Sequence, residues 1–147
     1  SWAIRSRDLV PTTPEQAREA AAVIDAKVLS NRKPPYSLSG GLFDAMNDAG
    51  GTIYKADNKQ LHEWKNRFKE LEGIDIHEAP SVAVASLAQA VQEGTVKKDE
   101  VIMLNITGGG EELMKSEIDV VYAKPHLVID PSLPEETIIS EVENLFK

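Results

Sequence analysis

The sequence predicts an α/β fold, with a partial doubly wound, mostly parallel sheet flanked by helices. Three observations predict it. Helical patterns alternate with short apolar segments along the 147 residues, as they do where helices cover a parallel sheet. Residues 101–106 are apolar almost without interruption, which is typical of a central parallel strand buried on both faces. Three glycines follow at residues 108–110, where such a strand would turn into a helix.

The first helix is predicted over residues 14–29. Thr13 and Gln16 have the spacing of a capping box, and Pro14 stands at the first helical position, where its missing N–H has no helical partner. Apolar side chains then recur with helical spacing at Ala17, Ala20, Ala21, Ile24 and Val28.

The second helix has signals at both ends. Asp57 is its predicted cap, with Gln60 three residues later. Gly73 stands where a left-handed residue would end the helix. The predicted buried face consists of Leu61, Trp64, Phe68 and Leu71.

Two further helices are predicted nearer the C-terminus. Pro80 and Ser81 open an alanine-rich helix that ends at Gly94. Ser132 and Glu135 bracket the start of the last helix. The apolar stripe of this helix is Ile138, Val142, Leu145 and Phe146.

The strands are predicted between these helices. The central strand at residues 101–106 is joined by shorter candidates at residues 52–54 and 127–129. A loop rich in proline and glycine, residues 31–41, precedes a short predicted helix at residues 42–47. A chain of this length fits a single domain, residues 1–147.

Composition excludes several classes of function. The net charge of -8 argues against nucleic-acid binding, which requires a positively charged surface for the phosphate backbone. The absence of cysteine excludes disulfides, thiolate metal sites and a cysteine nucleophile. No apolar run approaches the ~20 residues of a membrane span, and the first residues lack both a methionine and the layout of a signal peptide. We therefore expect a cytoplasmic chain with a cut N-terminus, and no nucleic-acid or membrane partner.

The glycine triplet is the first candidate site. Thr107 and the glycines after it follow the predicted central strand, and ligands of open α/β sheets bind beyond the carboxyl ends of strands. Glycines would let a planar or anionic ligand approach the backbone. The alternative is a tight turn between a strand and a helix. The pattern is neither a Walker A loop nor a dinucleotide fingerprint.

Other candidates are less specific. Ser39 and Gly40 precede a helix and could line a substrate pocket, or Ser39 could simply cap that helix. His77 and Glu78 adjoin a predicted strand end and could line a pocket, with a solvated loop as the alternative. Spacing identifies no pair of nucleophile and base. No metal site is indicated, since the histidines have no ligand spacing at His62, His77 and His126.

The order of these motifs resembles the C-terminal part of the pyridoxal-phosphate (PLP) enzymes of the tryptophan synthase β fold, which include threonine synthase. Residues 78–81, "EAPS", stand for the turn before their alanine-rich helix, and Thr107-Gly108 for their strand end. Within that fold the chain is most similar to the cysteate synthase family. The segments that carry this likeness are "NRKPPYSLSGGLFDAM" (31–46), "LEGIDIHEAPSVAVASL" (71–87) and "NITGGG" (105–110).

The resemblance implies a site. The hydroxyl of Thr107 would hydrogen-bond the pyridine nitrogen of PLP, and Gly108 and Gly109 would leave room for its ring. Glu78 would also lie at the cofactor. Ser39 and Gly40 would belong to the substrate pocket.

The resemblance also implies a reaction, the conversion of O-phospho-L-serine and sulfite to L-cysteate and phosphate in coenzyme M biosynthesis. The alternatives are threonine synthase, which acts on O-phosphohomoserine, and an α/β binding module without catalysis. The Schiff-base lysine and the phosphate loop of the family belong upstream of residue 1. We therefore expect a C-terminal fragment of the large PLP-binding domain, inactive alone and self-associating, from a homo-oligomeric enzyme.

Overall fold

The structure, a computed structural model, describes residues 13–31 and 38–147. These residues form α-helices joined by extended segments and turns. None of the helices in these two ranges is long and apolar enough to cross a membrane. The helices are α1 (Pro14–Ala22), α2 (Leu42–Ala49), α3 (Asn58–Glu72), α4 (Glu78–Gln92), α5 (Glu111–Glu117) and α6 (Glu135–Asn144), with a 3-10 turn at Lys27–Leu29.

The predicted sheet, mostly parallel and flanked by helices, is wrong. The described residues contain no β-sheet, and their single β-type pairing is an antiparallel bridge between Ile76 and Gly109. Residues 101–106 belong to no helix or strand and have no ladder partner among the described residues, and Val101 and Met103 are almost fully exposed. A strand needs neighbours for its backbone hydrogen bonds and covering elements for its side chains. The continuous apolar run therefore misled the prediction.

The shorter strand predictions fail for the same reason. Residues 52–54 and 127–129 are also outside helices, and neither segment pairs with a described neighbour. Tyr54 is only half-buried and Val128 is exposed. An apolar sequence of three residues indicates burial, but it does not supply the partner that a sheet requires.

The core is small and lies where α3 packs against α4, with the 3-10 turn beside α4. Leu61 of α3 is only 2% exposed, whereas Leu71 at the far end of the predicted buried face is 63% exposed. The accessible surface of the chain is 11,540 Å², which is larger than the about 7,400 Å² that a compact monomer of this mass would expose. The remaining core side chains are Ala26, Ile76, Val84, Ala85 and Ala90.

Both predicted capping boxes are confirmed. The Thr13 hydroxyl accepts the N–H of Gln16 at 3.2 Å, and the side chain of Gln16 accepts the N–H of Thr13 at 3.0 Å. Asp57 and Gln60 make the same reciprocal pair at the start of α3, at 2.8 and 3.0 Å. Gly73 ends α3 in the left-handed conformation, with φ +72°. These signals are local, so the sequence carries them completely.

The first helix is shorter than the predicted residues 14–29, because α1 ends at Ala22. The cause is Asn58, the first residue of α3. Its amide donates to the carbonyl of Val23 at 2.7 Å and accepts from the N–H of Asp25 at 3.2 Å. These two bonds take the backbone groups that a longer helix would use internally. The prediction over the second half of that segment is therefore wrong.

One other helix start differs from prediction. α4 begins at Glu78, two residues before the predicted Pro80, with no break at the proline because it lies in the first turn. The predicted start of the last helix between Ser132 and Glu135 is confirmed, since α6 begins at Glu135 with Pro134 as its cap residue.

Candidate functional site

The site begins where α3 reverses into α4, over residues 73–77, here called the reversal turn. The glycine segment, residues 107–110 or the Thr107 loop, lies directly against it. Ile76 of the turn and Gly109 of the loop form the antiparallel bridge. The bridge is flanked by two backbone hydrogen bonds, from His77 N to Gly108 O at 3.1 Å and from Gly110 N to Asp75 O at 2.7 Å.

This contact explains why the loop has glycines. Gly109 has φ +150°, and a Cβ there would lie 2.3 Å from the carbonyl oxygen of Asp75 and 2.6 Å from Cα of Ile76. A Cβ at Gly108 would lie 2.8 Å from Nδ1 of His77. At Gly109 the group that approaches the glycine is thus the backbone of the same chain.

Asp75 connects the reversal turn to α5. Its side chain is buried, with Asp75 only 9% exposed, and Oδ1 accepts the N–H of Glu112 at 3.2 Å. Burial raises the pKa of the Asp75 carboxyl, but backbone N–H groups, first that of Glu112, lower it by more. The carboxylate is therefore ionised at neutral pH and serves the open amides at the start of α5. The sequence pattern does not indicate a buried role for Asp75, because alternation with Ile74 and Ile76 predicts an exposed side chain.

A groove of about 580 Å³ opens beside the Thr107 loop. Its walls are the 3-10 turn, α3, the reversal turn with the start of α4, and the first turn of α5. Thr107, Gly108 and Glu78, all predicted at the cofactor, line it together. Gly109 is not among the lining residues, since it faces Ile76 in the bridge.

The predicted substrate residues lie elsewhere. Ser39 and Gly40 are exposed ahead of α2 and do not line the groove. Ser39 does not cap α2 either, because Gly41 is the cap residue and provides no side-chain bond. Instead the N–H of Gly40 donates to Asp44 at 2.8 Å. The preceding part of this loop, residues 32–37, lies outside the described residues.

Ion pairs join the walls of the groove. Lys65 donates to Glu78 at 2.6 Å, and this bond holds the pKa of the Glu78 carboxyl below its usual value. No motif of the sequence indicates Lys65, because its partner is 13 residues away. The other pairs that involve groove residues are Lys69 with Glu112, His77 with Glu111 at 3.1 Å, Lys115 with Glu111 at 3.5 Å, and His62 with Asp25 at 2.7 Å.

One end of PLP fits these residues. No group of the described residues hydrogen-bonds the Thr107 hydroxyl, so an uncharged donor is available at the groove wall for the pyridine nitrogen. The volume suits a small molecule. The phosphate end finds no free lysine among the described groove residues, because Lys65 is bonded to Glu78, Lys27 to two backbone carbonyls at 3.2 Å, and Lys115 is paired with Glu111 at 3.5 Å.

Similarity to known proteins identifies the relatives of this chain. It is 40% identical to the cysteate synthase of Methanosarcina mazei over 133 residues, which are 90% of this chain and 32% of that protein. It is 38% identical to the enzyme of Methanosarcina acetivorans over 94% of this chain and 34% of the relative. The corresponding values for Methanococcoides burtonii are 42%, 82% and 29%. The chain is a relative of the cysteate synthases.

The likeness to the cysteate synthases that the motifs predicted is therefore confirmed. The chain spans about a third of the length of the curated cysteate synthases it matches. No protein-family model matches the chain, and no solved structure matches it.

Proposed function

We propose that this chain is part of a PLP-dependent enzyme that converts O-phospho-L-serine and sulfite to L-cysteate and phosphate. The supporting observation is the similarity to eight curated cysteate synthases, which are 35–42% identical over 82–97% of the chain. The same observation favours this reaction over threonine synthesis.

The proposed reaction exchanges one group on the β-carbon of the substrate. The bond from Cβ to the phosphate oxygen breaks, and phosphate leaves with the electron pair. Sulfite supplies the electron pair of the new bond from Cβ to sulfur. PLP, when bound, supplies the electron sink for this exchange. The residues of this chain hold and orient the reacting groups.

Thr107 would hold the pyridine nitrogen. Its hydroxyl can donate to an unprotonated nitrogen without adding charge. A carboxylate at the same position would instead favour the protonated nitrogen. The choice of threonine therefore sets how strongly the ring withdraws electrons.

Glu78 would act as a hydrogen-bond acceptor. Its lowered pKa keeps it ionised at neutral pH, so it can accept from a ligand but does not supply a proton. Lys65 fixes the carboxylate in place. Glu78 also stands in the first turn of α4, where the helix dipole favours negative charge.

The test uses the full-length natural protein that carries this segment. With PLP, O-phospho-L-serine and sulfite, L-cysteate and phosphate should form in equal amounts. O-Phosphohomoserine without sulfite is the matched control, and it should give no threonine. Threonine formation in the absence of cysteate formation would overturn the proposal in favour of threonine synthase.

We further propose that the 147-residue chain alone does not form a covalent adduct with PLP. The resemblance places the Schiff-base lysine upstream of residue 1, and the lysines that line the groove are held by other groups. Lys65 is bonded to Glu78 and Lys27 to two backbone carbonyls, and Lys115 is paired with Glu111 at 3.5 Å. An amine kept protonated by such partners is not a nucleophile. Borohydride reduction after incubation with PLP should leave no stoichiometric label, and one labelled lysine would contradict this.

A further inference from the structure

The Thr107 loop and the start of α5 are attached to the reversal turn, and Asp75 accepts two of the hydrogen bonds that hold them there. Asp75 contributes its carbonyl to the N–H of Gly110 and its carboxylate to the N–H of Glu112. We propose that Asp75 is a positioning residue that sets the place of the Thr107 hydroxyl in the groove. This inference rests on the function proposed above, in which that hydroxyl meets the cofactor.

The main-chain contacts hold the loop on both sides of Gly109. The bond from His77 N to Gly108 O precedes the bridge, and the bond from Gly110 N to Asp75 O follows it, at 3.1 and 2.7 Å. Gly108 is bonded directly to Thr107 in the chain. A shift of the loop would therefore carry the Thr107 hydroxyl with it.

The side chain of Asp75 attaches the start of α5 to the reversal turn as well. The Asp75 carboxylate is buried, and a buried charge without partners is costly. Its partners are amides at the start of α5, so the carboxylate and the helix must stay together. The lowered pKa of Asp75 agrees with this arrangement.

The contact leaves little room for movement. A Cβ at Gly109 would lie 2.3 Å from the Asp75 carbonyl oxygen, so the two backbones are already as close as glycine permits. On the groove side, His77 is bonded to Glu111 at 3.1 Å. The reversal turn and the first residue of α5 therefore both restrict movement of the loop.

The competing explanation is a purely structural cap. A cap on α5, a helix of seven residues, would contribute stability and nothing to the site. The two explanations differ in one respect: a positioning residue acts through Thr107, whereas a cap acts on the whole fold. Coupling between the two positions therefore decides between them.

The experiment compares Asp75→Ala with Asp75→Asn in the full-length natural protein. Asparagine keeps an oxygen that can accept the Glu112 N–H, whereas alanine does not. Asp130→Ala is the matched control, because Asp130 also accepts a backbone N–H, from Ser132 at 2.8 Å, and does not line the groove. The first readout is the methyl resonance of Thr107, assigned by its loss in Thr107→Ala.

Asp75→Ala should shift that resonance, whereas Asp75→Asn and Asp130→Ala should leave it near its wild-type position. The second readout is kcat for cysteate formation. Asp75→Ala should lower it about five- to tenfold, as expected for one charge-assisted hydrogen bond. The double variant with Thr107→Ala should be no slower than Thr107→Ala alone.

An unshifted Thr107 resonance in a destabilised Asp75→Ala protein would overturn the proposal and leave a plain cap. Rate losses that multiply in the double variant would also overturn it. If the wild-type protein forms no cysteate, the proposed function fails, and the methyl resonance alone decides whether Asp75 positions the loop.

Discussion

Substitution of Gly109 by alanine tests the contact on which the site is built. Gly109 has φ +150°, and its added Cβ would meet the backbone of Asp75 and Ile76 at 2.3 and 2.6 Å. Contacts this short against backbone cannot be relieved by a side-chain rotation. The loop and the reversal turn must separate.

The cost has two parts. Alanine in a backbone conformation that favours glycine costs about 1–3 kcal/mol. Separation of the turn also breaks the two hydrogen bonds that flank the bridge, at about 1 kcal/mol each. The sum is roughly 3–5 kcal/mol of unfolding free energy, a large fraction of what a domain has.

The matched control is Gly94→Ala. Gly94 has φ +71°, and a Cβ there meets nothing within 4 Å. It should therefore cost only the backbone term, about 1–2 kcal/mol. Urea unfolding of both variants and the wild type, followed by circular dichroism, measures the difference. If Gly109→Ala is no more destabilising than Gly94→Ala, the close approach of the loop and the turn is refuted.

Three further predictions concern single side chains. Asn58→Ala should lower the unfolding free energy by about 1–2 kcal/mol, because it removes the bonds to Val23 and Asp25; urea unfolding equal to wild type would refute this role. The lowered pKa of Asp75 means that its carboxylate stabilises the fold above its unfolded pKa of about 3.9 and loses that effect as pH falls through the lower folded pKa. The melting temperatures of wild type and Asp75→Asn should thus differ at pH 7 and converge only as pH falls below the unfolded pKa, and parallel curves would contradict the linkage. In the full-length natural protein, Thr107→Ala should slow turnover about fivefold, as for one lost hydrogen bond, and Thr107→Asp should be slower still because a carboxylate would hold the ring nitrogen protonated; steady-state rates that place Thr107→Asp at wild type would exclude Thr107 from the pyridine nitrogen.

Local signals were predictable from the sequence and long-range partners were not. The cap at Asp57 and the left-handed Gly73 depend on neighbours within a few residues, and both are confirmed. The end of α1 depends on Asn58, a residue 35 positions from Val23, and no pattern near Ala22 indicates it.

The candidate site shows the same division. The glycine triplet predicted a close approach, and one exists at Gly109, but its partner is the reversal turn of the same chain. Thr107 and Glu78, nominated by resemblance, do lie on one groove. Their contact with PLP stays a prediction. Lys65 and Asp75 were missed because their roles depend on which segments meet in space.

The exposed apolar run at residues 101–103 has a consequence for handling the chain. Three consecutive exposed apolar residues, followed by the half-buried Leu104, are a nucleus for aggregation. The flanking "KKDE", residues 97–100, has no net charge, so colloidal repulsion must come from the overall charge of -8. That repulsion vanishes near the isoelectric point of about 4.9, and salt screens it within roughly 10 Å at 0.1 M. We therefore expect the chain to aggregate least in buffer of low ionic strength above neutral pH.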